Sequence, residues 1–127
     1  MNELPKDFKV VRTDRELEMQ RVDARLREAG ARLVVLPDGT PEDVLAREVA
    51  DADLLLMCYA RIGAPVIGAA TRLKAIIKYG VGIDAIDIDA ARASGIPVVN
   101  VPGYLSQTNC FHQLLLCILL LTDEINV

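Results

Sequence analysis

The sequence predicts an α/β fold: a flavodoxin-like, doubly wound, five-stranded parallel sheet followed by an apolar crossover helix. Three observations carry that reading. Strand and helix patterns alternate along the chain with short connections, as a parallel sheet covered by helices requires. The run Leu54-Leu55-Leu56-Met57 is apolar at every position, which suits a strand buried on both faces. Gly30 and Gly95 each stand directly after a helical pattern, where a left-handed residue stops a helix.

Each element has its own local reason. Phe8 to Arg12 reads as the first strand. Thr13 or Asp14 then caps a helix whose apolar stripe is Leu17, Val22, Leu26 and Ala29, stopped by Gly30. Arg32 to Leu36 is the second strand. Thr40-Pro41-Glu42-Asp43 begins the next helix, with a threonine cap, proline at the first helical position and two acids where the macrodipole favours them. Val44, Leu45 and Val49 would face the sheet. Leu54 to Met57 is the third strand, and Cys58 to Gly63 its exit loop. Pro65 to Ala70 is a short helix, Lys74 to Lys78 the fourth strand, Asp87 to Ser94 a helix, and Pro97 to Asn100 the fifth strand. From Ser106 onward Phe111, Leu114, Leu115, Cys117, Ile118, Leu119, Leu120 and Leu121 leave almost no polar face, so that helix needs partners on several sides.

Composition narrows the function classes. Of 127 residues, 52% are apolar and 25% charged, ordinary for a packed globular domain. Fourteen basic against 18 acidic residues give a net charge of −4, and no basic run occurs, so a nucleic-acid partner is not expected. Cys58, Cys110 and Cys117 are odd in number and lack C-x-x-C spacing, which suits reduced core thiols rather than disulfides or a metal site. Met1 to Lys9 alternates polar and apolar types without a signal-peptide pattern, and the apolar stretch Leu114 to Leu121 falls far short of the roughly 20 residues that span a bilayer. The expectation is a cytoplasmic chain with no membrane partner.

In doubly wound sheets, ligands lie beyond the carboxyl ends of the strands, where the strand order switches. That edge collects Asp14, Pro37-Asp38-Gly39, Tyr59-Ala60-Arg61, Tyr79 to Asp84 and Val101 to Tyr104. The most informative stretch is Tyr79-Gly80-Val81-Gly82-Ile83-Asp84. Gly80, Gly82 and Ala85 satisfy G-x-G-x-x-G/A formally, but Asp84 puts a negative charge into the turn, and Asn100 stands where the ribose-binding acid belongs. Two glycines with little side chain between them fit a nest of backbone N–H groups for a small anion such as a carboxylate. They fit equally a tight strand-to-helix connection that only needs unusual dihedrals.

The stretch Leu73-Lys74-Ala75-Ile76-Ile77-Lys78-Tyr79-Gly80-Val81-Gly82-Ile83-Asp84-Ala85-Ile86-Asp87, with Ala90-Ala91 and Gly95-Ile96-Pro97-Val98-Val99-Asn100-Val101-Pro102-Gly103-Tyr104, resembles the substrate (catalytic) domain of the D-isomer-specific 2-hydroxyacid dehydrogenases. That group contains phosphoglycerate dehydrogenases and glyoxylate/hydroxypyruvate reductases. The resemblance implies that residues 1–104 form the substrate-binding domain and that 105–127 lead to a Rossmann domain holding NAD or NADP. It places the substrate carboxylate on amides of the Gly80-Val81-Gly82 loop, those of Val81 and Gly82. Tyr59 to Arg61 matches a loop that closes over substrate in some members, Arg61 being able to pair with an anionic group. Tyr79 and Tyr104 line the cleft or simply cover strand ends.

His112 matches the histidine at the start of the family's inter-domain helix, which is not the catalytic acid/base. The catalytic arginine, glutamate and histidine are expected beyond Val127, and no cofactor is expected to bind this chain alone, nor turnover by it. Departures from the pattern fall in Leu105 to Phe111, with Phe111 in place of an acid, and in a tail without basic residues, consistent with a diverged final helix, a fragment or a degenerate copy. The anticipated partners are a small 2-oxo or 2-hydroxy acid and either the Rossmann domain or a second copy, through Leu114, Leu115, Ile118 and Leu121. A non-catalytic carboxylate-binding or assembly module is the alternative. A phosphate-accepting receiver is disfavoured because Cys58 or Tyr59 stands where the third strand should end in aspartate. Flavin binding is disfavoured because Thr13-Asp14-Arg15 lacks a hydroxyl-rich phosphate loop.

Overall fold

The computed structural model describes residues 7–15, 20–79 and 85–101. Five strands, β1 (Lys9–Arg12), β2 (Arg32–Val35), β3 (Leu54–Met57), β4 (Ala75–Tyr79) and β5 (Val98–Val101), alternate with helices α1 (Gln20–Glu28), α2 (Glu42–Val49), α3 (Ala64–Ala69) and α4 (Ile88–Ala93). All pairings are parallel and the strand order is β2-β1-β3-β4-β5. The flavodoxin-like reading holds. The order reverses between β1 and β3, so the switch point lies at their carboxyl ends.

Alternation along the strands splits the core into two layers. Val10, Leu54, Leu56, Ala75 and Ile77 face α1, where they meet Val22, Leu26 and Ala29. Val11, Leu55, Met57 and Ile76 face the other way, against Leu45 and Val49 of α2, Val66 and Ile67 of α3, and Ala91 of α4. The four residues of β3 are wholly buried, each such side chain contributing roughly 1.5–3 kcal/mol relative to exposure. Val44 is only half-buried, while Ala46 packs against the core instead.

Glycine stops α1 and prepares β2. Gly30 has φ +97°, its N–H donates to Arg27 O at 3.0 Å, and the N–H of Ala31 donates to Leu26 O at 3.0 Å. These are the two bonds of a Schellman motif, and after α4 they recur, from Gly95 N–H to Arg92 O and from Ile96 N–H to Ala91 O. Asp87 caps α4 by accepting the Ala90 N–H at 3.0 Å.

One capping expectation is overturned. Pro41, not Thr40, is the N-cap of α2 and makes no side-chain cap bond. The Thr40 hydroxyl donates instead to Pro37 O at 2.6 Å, closing the turn after β2 and leaving it no role at the helix end. The start of the first helix, where Thr13 or Asp14 was expected to cap, lies outside the described residues. Asp14 turns its carboxylate across the sheet edge to the loop after β3, and Thr13 donates its hydroxyl to that same carboxylate. The expected stripe position Leu17 lies outside the described residues, as does the apolar segment from Ser106.

Candidate functional site

The carboxyl edge of the sheet is built by three strand-exit loops around a cleft of about 440 Å³. Thr13 and Asp14 after β1, the turn 37–40 after β2, and Tyr59, Ala60 and Arg61 after β3 line it, with Leu45 of α2 at its side. This is the switch point, the expected place for a ligand in such a sheet.

Asp14 organises the centre. It is buried, with φ +59°, and its backbone is held from both sides: Thr13 N–H donates to Leu56 O at 2.9 Å and Arg15 N–H to Leu36 O at 3.0 Å. One carboxylate oxygen, Oδ2, accepts from the Thr13 hydroxyl at 2.7 Å and from the N–H groups of Cys58 and Tyr59 at 2.9 Å and of Ala60 at 3.4 Å. Beneath it Arg12, almost fully buried, forms a two-pronged pair with Asp23 of α1 at 2.8 and 2.9 Å and reaches the carbonyls of Thr13 and Asp14 at 3.4 Å. Sequence reading missed this arrangement. Its one signal was an aspartate at the end of a central strand, which resembles a helix cap until the neighbouring strand is known.

Tyr59 is 63% exposed, the one large hydrophobic residue standing out among those described. Its ring lies 5.9 Å from Lys78 Nζ, within cation–π range. Lys78 is buried at the end of β4 and donates its ammonium to Cys58 O. Arg61 is exposed on the cleft wall and makes no ion pair among the described residues. Exposed Asp38 and Glu42 stand across the same cleft.

The described residues that flank the two segments singled out by sequence pair with each other. Met57, the last residue of β3, is in register with Lys78, and Ile62 beyond the loop forms a parallel bridge with Ile86. Ile62 N–H donates to Ala85 O at 2.8 Å, and Asp87 N–H to Ile62 O at 2.9 Å. Both feet of the 58–61 loop therefore stand against both feet of the loop that follows β4. Gly80, Val81, Gly82 and Tyr104 themselves lie outside the described residues, as does the Tyr79 side chain; the Tyr79 backbone ends β4 in register with Val101.

The described residues do not fit a dinucleotide. A pyrophosphate needs unengaged amides at a turn, whereas the amides of Cys58, Tyr59 and Ala60 already hold the Asp14 carboxylate, whose negative charge occupies the position. Among these residues no group of three or more histidine, cysteine, aspartate or glutamate side chains could hold a metal ion. No helix among them is long and apolar enough to cross a membrane.

Comparison with known proteins agrees with this architecture. Residues 10–110 match the family model of the D-isomer specific 2-hydroxyacid dehydrogenase catalytic domain. The chain is 41% identical over 80 residues to D-3-phosphoglycerate dehydrogenase of Mycobacterium bovis, covering 62% of this chain and 15% of that enzyme. It is 42% identical over 67 residues to glyoxylate reductase of Thermococcus kodakarensis, covering 52% of this chain and 20% of the relative. The structure overlays NAD+-bound 3-phosphoglycerate dehydrogenase of Entamoeba histolytica with a TM-score of 0.68 and 27% identity, over 76% of this chain and 33% of that one. The chain thus spans a third or less of the length of these relatives. Matched over most of its length in sequence and in fold, the chain belongs to the D-isomer specific 2-hydroxyacid dehydrogenase family, an NAD-dependent oxidoreductase family, through its catalytic domain.

Proposed function

We propose that this chain is the substrate-binding part of an NAD(P)-dependent D-2-hydroxyacid dehydrogenase, orienting the carboxylate of a small 2-oxo or 2-hydroxy acid. Residues 1–104 form the binding domain and 105–127 lead toward a Rossmann domain. The backbone amides of Val81 and Gly82 take the carboxylate, with Gly80 allowing close approach. Tyr59 and Arg61 face it from the neighbouring loop, and Tyr79 and Tyr104 border the cleft.

The observation that supports this most is the double tie between the two loops, Met57 to Lys78 on one side and Ile62 to Ile86 on the other. It supports a reading in which Arg61, which makes no ion pair among the described residues, faces the glycine loop that follows β4. Amide donors with one cation suit a carboxylate, since charge-assisted bonds are the strong ones. Hydride chemistry belongs to the family's nicotinamide cofactor, and no step of it falls to the described residues. The chain is proposed to be a fragment in function: it holds and orients, and does not turn over alone.

The test is an amide chemical-shift titration of the 127-residue chain with pyruvate, glyoxylate and hydroxypyruvate. Millimolar binding that moves the amides of Val81, Gly82 and Tyr59 to Arg61 is the expected result, weakened about tenfold by Arg61→Ala. Perturbation elsewhere, or none at about 50 mM acid (roughly fifty times a Kd of about 1 mM), would sink the proposal. Turnover with NADH would remove the claim that orientation is all this chain does.

A further inference from the structure

The loop that carries Tyr59 and Arg61 is held by an anion of the protein's own. Three successive N–H groups, those of Cys58, Tyr59 and Ala60, converge on a single oxygen of Asp14 at 2.9, 2.9 and 3.4 Å. Convergent backbone N–H groups of this kind form an anion-binding concavity. The carboxylate comes from 44 to 46 residues away in sequence, so the contact serves the tertiary structure and not a local turn.

We infer that Asp14 is a positioning residue: its carboxylate fills an amide nest after β3 and so presets the cleft wall that bears Tyr59 and Arg61. The backbone at Asp14 is held in place. Its left-handed backbone is clamped between Leu56 O and Leu36 O through its neighbours Thr13 and Arg15, and the Arg12 guanidinium lies 3.4 Å from its carbonyl. Behind the nest the chain is fixed again, because Ile62 pairs with Ala85 and Asp87. Arg61 is therefore the single residue between two anchored points. Without the carboxylate, three amides at the cleft would lose a shared acceptor and the loop its front anchor. Only the consequence for ligand binding rests on the substrate reading above; the nest does not.

The experiment replaces the carboxylate with a soluble one. Asp14→Ala removes a group the size of formate while keeping Cβ, and the intact 127-residue chain is followed by thermal unfolding and by the amide shifts of residues 58–60. The variant is expected to lose about 10 °C in Tm. Molar sodium formate should then return about 5 °C more than it gives the wild type, and should shift the three amides toward their wild-type positions. Sodium chloride should do neither. If Asp14→Ala does not fold in chloride, folding induced by formate alone is the same positive result.

Equal effects of formate on variant and wild type would overturn the inference. So would an Asp14→Asn chain that keeps both its Tm and its 58–60 amide shifts, since the charge would then be dispensable. The two readings fail separately. Formate rescue without 2-oxo acid binding by the wild type leaves the nest and removes the substrate reading. Binding without rescue removes the role of Asp14 alone.

Discussion

The guanidinium of Arg12 and the carboxylate of Asp23 meet through two bonds, Nε to Oδ1 at 2.8 Å and Nη2 to Oδ2 at 2.9 Å, inside the layer between β1 and α1. Both side chains are largely withdrawn from water, Arg12 more so than Asp23. Burial raises the stakes of the pair, because a buried charge that loses its counterion keeps its desolvation cost. Asp23→Ala is expected to destabilise the chain by about 3 kcal/mol or more, and Arg12→Met by less, since the better-hydrated carboxylate tolerates loss of its partner. The double variant Arg12→Met/Asp23→Ala should lose less than the sum of the singles. Urea unfolding of the four proteins checks the cycle, and additive losses would show that the pair is not coupled.

Two glycines with equally open surroundings should respond with opposite signs. A Cβ added at Gly95 or at Gly68 meets nothing within 4 Å, but Gly95 has φ +71° whereas Gly68 lies in α3 with no positive φ. Gly95→Ala should therefore cost roughly 1–2 kcal/mol from backbone strain alone. Gly68→Ala should gain up to about 1 kcal/mol by removing helix-disfavouring freedom. Chemical denaturation decides it, and a stabilising Gly95→Ala would contradict the left-handed stop after α4.

At the opposite edge of the sheet, Asp51 is held below the usual carboxylate value of 3.8, first by the hydrogen bond from Lys9 Nζ at 2.6 Å and further by the charges of Lys9 and Arg32, with desolvation opposing. A depressed folded pKa gives stability that is complete above the unfolded value and lost as pH falls through the folded one. Asp51→Asn should thus be less stable than the wild type at pH 7, and the gap should close below the 3.8 of a free carboxylate. The pair is half-exposed on the aspartate side, so added salt should narrow the gap as well. A pH-independent difference would mean that Asp51 acts through packing instead of charge.

Legibility followed locality. The apolar run Leu54 to Met57 could only be a strand covered on both faces, and it is wholly buried. Gly30 and Gly95 announced their helix ends because the left-handed conformation there excludes most other residues. Thr40 misled for the same reason: threonine before Pro-Glu-Asp has the composition of a cap, yet its hydroxyl finds Pro37 O first. Tyr59 and Arg61, singled out from the sequence, line the cleft. Lys78 was read only as the end of a strand, and its contact with Cys58 O depends on the neighbour it received.

What the sequence by itself determined is the succession of elements, because strand, helix and stop are set by residues within one or two turns of each other. The tertiary structure alone decided the order β2-β1-β3-β4-β5, and with it which loops share an edge. Asp14 shows the physical reason. A buried carboxylate must be paired wherever it lands, but its partners, the amides of residues 58–60, exist as partners only because β3 lies beside β1.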